Sequence, residues 1–424
     1  MVNRQLSSSS KANTTLNKDQ FTMSRLWKES TEKMLKQEIF PIGSLDSLRW
    51  QMAETMVLHW ADPNEQGRGG GIQKCLELLD RLNAEVVYSC DHTDEEAKLT
   101  MDIYILHAVL KTWNRLFKGG KIRVLPSEML QRIDGYTSRV PWLEPNIATY
   151  TMILDAASRC PDPKERIDFS ESLLLRLIKE ASASRDSRVR PTVVTFSTVI
   201  NAYARSGNQE AAERAEKLLK LSQSMYEEHG WTDAEPNAVV YTSVVNAWAR
   251  AGNPNRAQQI LKEMYEDSML NGKAQMRPNL WTFNTVLSAW SKSSEKNAVE
   301  SMEKLLGTMK DLFEQGILET RPDTVSYNCL LHALARRRRS IPDAPVMAES
   351  LVSEMLQLSK EFEDRSIAPN EISYTALFKI LNSTKSVDLS KRAEYWVKQM
   401  NSKVLGDGFV QDQLKQMGWK GTTK

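Results

Sequence analysis

Cysteine and histidine are scarce in this chain, with four and five in 424 residues. Cys75, Cys90, Cys160 and Cys329 lie far apart. That spacing excludes a disulfide framework and a CxxC metal knuckle, and it fits a reducing compartment. No apolar run approaches the length of a membrane span. A mean hydropathy of −0.47 with 41% hydrophobic residues is the composition expected of a soluble chain. An excess of charge is lacking too: 56 basic residues face 54 acidic ones, for a net charge of +2. Gross charge therefore points to no polyanionic partner. The run Gly67-Arg68-Gly69-Gly70-Gly71 lacks the Gly-Lys-Ser/Thr of a phosphate loop and reads as a turn. Cys90-Asp91-His92 with Asp94, Glu95 and Glu96 reads as a polar loop capping the next helix rather than a metal site. No cofactor or metal is expected.

What the sequence has instead is repetition. Pro145, Pro191, Pro236, Pro278, Pro322 and Pro369 each open a similar stretch, giving a period of 42 to 47 residues. A fixed period of this size predicts a helical solenoid. Counting from the aromatic residue five places on (Tyr150, Phe196, Tyr241, Phe283, Tyr327, Tyr374), apolar residues recur three and four places later. They are Ile153/Leu154, Val199/Ile200, Val244/Val245, Val286/Leu287, Leu330/Leu331 and Leu377/Phe378. Tyr203, Trp248, Trp290 and Leu334 follow at the seventh place. These offsets share one helical face and predict a core. Ala202, Ala247, Ala289 and Ala333 at the sixth place admit a close neighbour.

A second helix follows each first one, marked by spaced Ala, Leu and Met at 211–221, 257–264, 348–355 and 393–400. Gly207 and Gly252 stand where the first helix stops. The prolines are expected inside the next helix's first turn. Two copies without the proline precede these, around 53–60 and 106–115. The expected domains are an N-terminal tail at 1–43, two divergent hairpins at 44–144, six repeats at 145–400, and a cap with tail at 401–424. In the last segment Phe409, Val410, Leu414, Met417 and Trp419 suit an amphipathic cover for the final repeat. The first eighteen residues carry Arg4, Lys11 and Lys18, many hydroxyl residues and no acid. An organelle transit peptide has this composition, and so does a short polar tail.

Opposite the core face runs a basic column nine places after the aromatic: Arg159, Arg205, Arg250, Lys292 and Arg336. One cation per repeat suits the successive phosphates of a single strand. Compensation of the helix dipole explains the same residues. On that face the residue after the aromatic is short and polar: Thr151, Ser197, Thr242, Asn284, Asn328 and Thr375. Another polar column follows each proline, namely Asn146, Thr192, Asn237, Asn279, Asp323 and Asn370. Helix N-capping selects the same residue types there.

The string Pro-Asn/Asp-x-Val-Thr/Ser-Tyr/Phe-Asn/Thr-x-Val/Leu-Ile/Leu-Asn-Ala-Trp/Tyr-Ala-Arg-x-Gly, clearest at 191–207 and 236–252, resembles the pentatricopeptide repeat. The resemblance implies an all-α fold, a right-handed α-solenoid superhelix of helix-turn-helix hairpins. It implies binding of single-stranded RNA, one base per repeat, in organellar RNA processing, stabilisation or translation, in a mitochondrion or plastid. Its implied base-reading pairs are Ser197/Asn237 and Thr242/Asn279 for adenine, Asn284/Asp323 for uracil and Asn328/Asn370 for a pyrimidine. Thr151/Thr192 and His107/Asn146 depart from the pattern and take no base. The implied base-stacking positions are Val194, Val239, Trp281, Val325 and Ile372. At Trp281, a surface aromatic in a crevice between repeats is the alternative reading. The copies exceed the family's usual length, which puts strict one-base registration in question.

The partners implied are single-stranded RNA and other RNA-processing proteins, with no membrane, and oligomeric state is not legible. Some relatives of the repeat carry a metal-dependent nuclease. Only 24 residues follow Met400, with Asp407 and Asp412 their only acids, so a chain without enzymatic activity is expected. Two alternatives stand: a helical-repeat scaffold for proteins, and a targeting subunit for a nuclease supplied by another chain.

Overall fold

The computed structural model describes residues 103–419, except 121–122, 140–142, 185–186, 271, 384–388 and 401. The tail at 1–43, the hairpin expected near 53–60, the glycine run and the 90–96 loop lie outside the described residues. Among the described residues there is no strand, and helix follows helix. No described helix is long and apolar enough to cross a membrane. The chain divides into two compact units, one ending at Pro191 and one beginning at Thr192.

In the first unit α1 (Ile103–Lys118) and α2 (Pro126–Arg139) both pack on α3 (Ile147–Ala157). A π-helical turn, Lys164–Phe169, leads into α4 (Ser170–Ser184). Trp113 of the divergent repeat occupies the aromatic column as expected. It is fully buried, and its indole N–H donates to the Val124 carbonyl at 3.2 Å. The Arg176 guanidinium of α4 grips the Asp134 carboxylate of α2 with two bonds of 2.7 and 2.9 Å.

The second unit is five hairpins and a cap. They are α5 (Val193–Ser206) with α6 (Gln209–Glu227), α7 (Ala238–Arg250) with α8 (Pro254–Leu270), and α9 (Leu280–Lys292) with α10 (Ala298–Glu314). Then come α11 (Thr324–Arg337) with α12 (Ala344–Glu361), α13 (Glu371–Leu381) with α14 (Leu389–Gln399), and the short α15 (Ser402–Leu405) and α16 (Gly408–Gln416). The first helices pack side by side in the order α5, α7, α9, α11, α13. Ala202, Ala247, Ala289 and Ala333 are all buried along that row.

The apolar columns read from the sequence form the core, and every aromatic of the first column is buried. Those side chains also tie hairpins together. The Tyr241 hydroxyl of α7 donates to Asp267 of α8 at 2.6 Å, and the Tyr327 hydroxyl of α11 to Glu354 of α12 at 2.8 Å. Burial, reinforced by the carboxylates, pushes both phenol pKa values up, so these groups stay protonated donors. The indoles reach backward instead. Trp248 of α7 bonds Glu216 of α6 at 3.2 Å, and Trp290 of α9 bonds Gln258 of α8 at 2.7 Å. A first helix such as α7 is thereby pinned to its own hairpin and to the preceding one.

Part of the extra length between copies folds into short helical turns. Short 3-10 turns at Thr232–Ala234 and Ala274–Met276 bury Ala234 and Met276. The Ser222 hydroxyl of α6 donates to the Ala234 carbonyl. Gly207 takes the left-handed φ of 65° that ends α5, and Gly252 lies at φ 77° just beyond α7. The prolines differ from expectation. Each precedes the N-cap and so lies outside the helix, because the Asn, Asp or Thr after it takes the cap with extended backbone.

At the C-terminal end α16 packs on α13 and buries Val410, Leu414 and Met417, while Phe409 faces outward at 76% exposure. Phe409 is therefore not part of the covering face, contrary to the sequence expectation. A nearest-neighbour array predicts a local consequence for losing this cover. Leu414→Ala should destabilise by about 2–5 kcal/mol and speed amide exchange in α13 while leaving α5 and α7 protected. Uniform loss of protection across the second unit would contradict that.

Candidate nucleic-acid interface

Each first helix begins with N–H groups that have no intrahelical acceptor, and the column after the prolines supplies one. Asn237 Oδ1 accepts from the backbone of Val239 and Val240 at 2.9 and 3.3 Å, and Asn279 Oδ1 from Thr282 at 3.0 Å. Asp323 Oδ1 accepts from Ser326 at 2.9 Å, and Asn370 Oδ1 from Ile372 and Ser373 at 3.1 Å each. Asn146 does the same for α3. Thr192 caps α5 by exchanging contacts with the Thr195 hydroxyl. N-capping is thus a real role of the whole column.

It is not the only one, because the same atoms meet the preceding repeat. Asn284 Nδ2 donates to Asp323 Oδ1 at 3.1 Å, and Asn328 Nδ2 to Asn370 Oδ1 at 3.2 Å. Two of the pairs read from the sequence are therefore directly bonded. At the step before, Thr242 meets Thr282 hydroxyl to hydroxyl at 2.8 Å, and Thr282 in turn bonds Asn279 at 3.0 Å. Ser197 stands apart from Asn237, since its hydroxyl donates to the Val194 carbonyl of its own helix at 3.0 Å. In the first unit His107 Nε2 lies 2.8 Å from the Thr149 hydroxyl, which neighbours Asn146. Thr151 belongs to the first unit and Thr192 to the second.

One recurrent participant was missed from the sequence: the hydroxyl just before five of the six aromatics. Thr149, Thr195, Thr282, Ser326 and Ser373 are completely buried. The signal was present in the Thr/Ser of the repeat string, which reads locally as ordinary capping-box chemistry.

The stacking column is exposed throughout, with Val194 at 59%, Val239 at 57%, Trp281 at 72%, Val325 at 54% and Ile372 at 51%. Single exposed apolar residues are ordinary, and here one recurs at the same position in every first helix of the second unit. Trp281 belongs to a groove of about 970 Å³ wholly within the second unit. That groove also gathers Asn284, Asp323 and Val325 with Arg205, Arg250 and Lys292. Residues from four helices and four repeat-related columns converge there on one concavity.

The basic column is not uniform. Arg250 and Lys292 are exposed, with no ion-pair partner among the described residues. Arg205 is exposed on the same groove. Arg159 is held by Asp155 at 2.9 Å, and Lys118 and Asn114 reach the same carboxylate at 2.7 and 2.9 Å. Burial pushes the Asp155 pKa up, but those three partners outweigh it and hold it below the usual value. Arg336 donates to the Ser291 carbonyl in the last turn of α9 at 2.9 Å, and Arg337 to the Ser293 carbonyl. Those two arginines join adjacent repeats. In the last repeat the cation moves one turn back to Lys379, which with partial burial lowers the His332 pKa. Among the described residues no cluster of three His, Cys, Asp or Glu could hold a metal ion.

If the exposed column is held open for a ligand, removing a member should leave the fold intact. Val325→Ala should change stability by less than about 0.5 kcal/mol. Leu331→Ala in the same helix, at a fully buried site, should cost about 2–5 kcal/mol. Urea unfolding of both variants makes the comparison, and equal losses would show Val325 to be a packing residue.

Two family models match the chain: one described as a PPR repeat over residues 194–220, and one described as a pentatricopeptide repeat domain over 224–293. No curated protein matches. Among solved structures, similarity extends to the pentatricopeptide repeat protein PPR10 in complex with an 18-nt psaJ RNA element, and to a form of it with three cysteines replaced by serine. Each is 16% identical with a TM-score of 0.29, over 93% of this chain and 63% of theirs. That overlap is too loose to transfer geometry from one chain to the other. The repeat is matched at 194–220 and 224–293, and the same capped hairpin is built before and after those stretches, so the chain carries pentatricopeptide repeats.

Proposed function

We propose that this protein binds single-stranded RNA sequence-selectively along the row of first helices, and that it serves organellar RNA processing, stabilisation or translation in a mitochondrion or plastid. The observation that carries the binding reading is the groove that places Trp281, the bonded pair Asn284/Asp323 and the cations Arg250 and Lys292 together. A stacking face, a hydrogen-bonding edge reader and a phosphate contact are the three requirements for holding one nucleotide of a flexible strand. The transit-peptide-like composition of the N-terminus supports the organellar assignment.

Base preferences follow from what each pair leaves unused. Asp323 spends Oδ1 on its cap and on Asn284, and Oδ2 takes no hydrogen bond among the described residues. A carboxylate oxygen only accepts, which suits the imino N–H of uracil. Asn370 likewise spends its oxygen and keeps its amino group. The amino group that remains only donates, and the pyrimidine at Asn328/Asn370 is assigned by the resemblance. The resemblance assigns adenine to Ser197/Asn237 and Thr242/Asn279.

Two experiments test this reading. Arg250→Ala and Lys292→Ala should each weaken binding to all RNA sequences alike and reduce the salt slope by about 0.7. Arg159 and Arg336, already engaged by the protein, should matter less, and an unchanged slope in the Arg250/Lys292 double variant would contradict phosphate contact. Asp323→Asn should move the base preference at its step from uracil toward cytosine, at a cost of about 1–3 kcal/mol for the original RNA. Helix stability should hold, since Asn caps as well as Asp. Selection from random RNA returning the same base for both proteins would remove the assignment.

A further inference from the structure

The five first helices of the second unit are built alike except at one buried atom. The residue immediately before the aromatic is Thr195, Thr282, Ser326 or Ser373 in four of them and Val240 in α7. All five are fully buried, so none of them touches a ligand.

The Ser326 hydroxyl lies 2.7 Å from Asn284 Oδ1 and 2.9 Å from Asp323 Oδ1, and it accepts the Asp323 backbone N–H at 3.2 Å. Ser373 repeats the arrangement one hairpin later, at 2.7 Å from Asn328 Oδ1 and 3.1 Å from Asn370 Oδ1. An asparagine amide can present either of two chemically opposite ends, and isolated amides interconvert by rotation about the side chain. Here both ends are claimed: the amino group by the next repeat's cap and the oxygen by the buried hydroxyl. Only one edge of Asn284 remains to meet a ligand.

Where Val240 replaces the hydroxyl the arrangement is missing. No hydroxyl from α7 meets Ser197, whose own hydroxyl donates to the Val194 carbonyl of its helix, whereas Thr242, which donates likewise to the Ala238 carbonyl, also meets the Thr282 hydroxyl.

We propose that the buried hydroxyls of Thr282, Ser326 and Ser373 are specificity-positioning groups: each fixes the orientation of the preceding repeat's base-facing side chain. Selectivity is therefore graded along the row, sharp at Asn284 and Asn328 and loose at Ser197, where Val240 supplies no hydroxyl. The selectivity part rests on the RNA-binding reading above. The orientation part does not.

The test uses the full chain and RNA selected by it from a random pool, with the nucleotide facing each step varied through four bases. Ser326→Ala should lower discrimination at the Asn284 step by about fivefold or more, with discrimination at the Asn328 step unchanged. Ser326→Thr, which places the residue found at Thr282, should restore it. Val240→Thr is isosteric and should raise discrimination at the Ser197 step by a similar factor. A purely structural role for these residues would lower affinity for all four RNAs alike in Ser326→Ala and leave Val240→Thr without effect, and that pattern overturns the proposal. Side-chain amide hydrogen exchange in the protein without RNA gives the independent readout. Asn284 and Asn328 should be protected, and Ser326→Ala should expose Asn284 alone. Unchanged exchange at Asn284 overturns the orientation mechanism. If no RNA is selected at all, the proposed function fails together with the grading, and exchange still decides the orientation.

Discussion

A helix cannot begin without acceptors for its first N–H groups, and in this protein the residues that meet that demand stand at the boundary between repeats. Asp323 illustrates the coupling. One of its oxygens caps α11, receives the amide of Asn284 from α9, and lies beside the Ser326 hydroxyl. The spacing between adjacent first helices and the placement of the polar groups they present are therefore set by the same few bonds. The proposed binding of a flexible strand would gain from this, because the polar side chains of the groove are ordered by folding rather than by ligand.

The opposite side of the first helices carries the packing. Tyr241 and Tyr327 tie forward into their own hairpins, and Trp248 and Trp290 tie back to the previous ones. Each of these aromatics combines a large buried ring with one satisfied polar tip. Stability in such an array is a sum of hairpin and neighbour terms. The exposed row of Val194, Val239, Trp281, Val325 and Ile372 can then be left unpacked without unfolding the chain.

Much of this was legible in the sequence. The six prolines gave the period, the aromatics and the apolar pairs gave the core face, and Gly207 and Gly252 marked helix ends. Periodicity reports which residues share a face, and the same reasoning placed the basic column and the residues after the aromatics on the other one, while the stacking positions came from the family resemblance. It could not separate Arg250 and Lys292 from Arg336, because the partner of Arg336, the Ser291 carbonyl, belongs to another repeat; for Arg159 the signal was local, with Asp155 one turn earlier. Nor could it show that the column after the prolines both caps and pairs, since one residue type serves both purposes. The prolines were read one turn too far into the helix, as sequence alone does not say which of two adjacent residues is the cap. Val240 passed as ordinary variation, and its meaning emerged only when the hydroxyls of the other repeats were seen to reach back across the boundary.

The central claim, that a single strand lies across the first helices of the second unit, is tested most directly by photocrosslinking. RNA selected by the protein and substituted with 4-thiouridine should crosslink to peptides from 280–292 and 324–337, with Trp281 and Val325 among the modified residues. Crosslinks confined to the second helices, at 298–314 and 344–361, would place the strand on the other face and contradict the account.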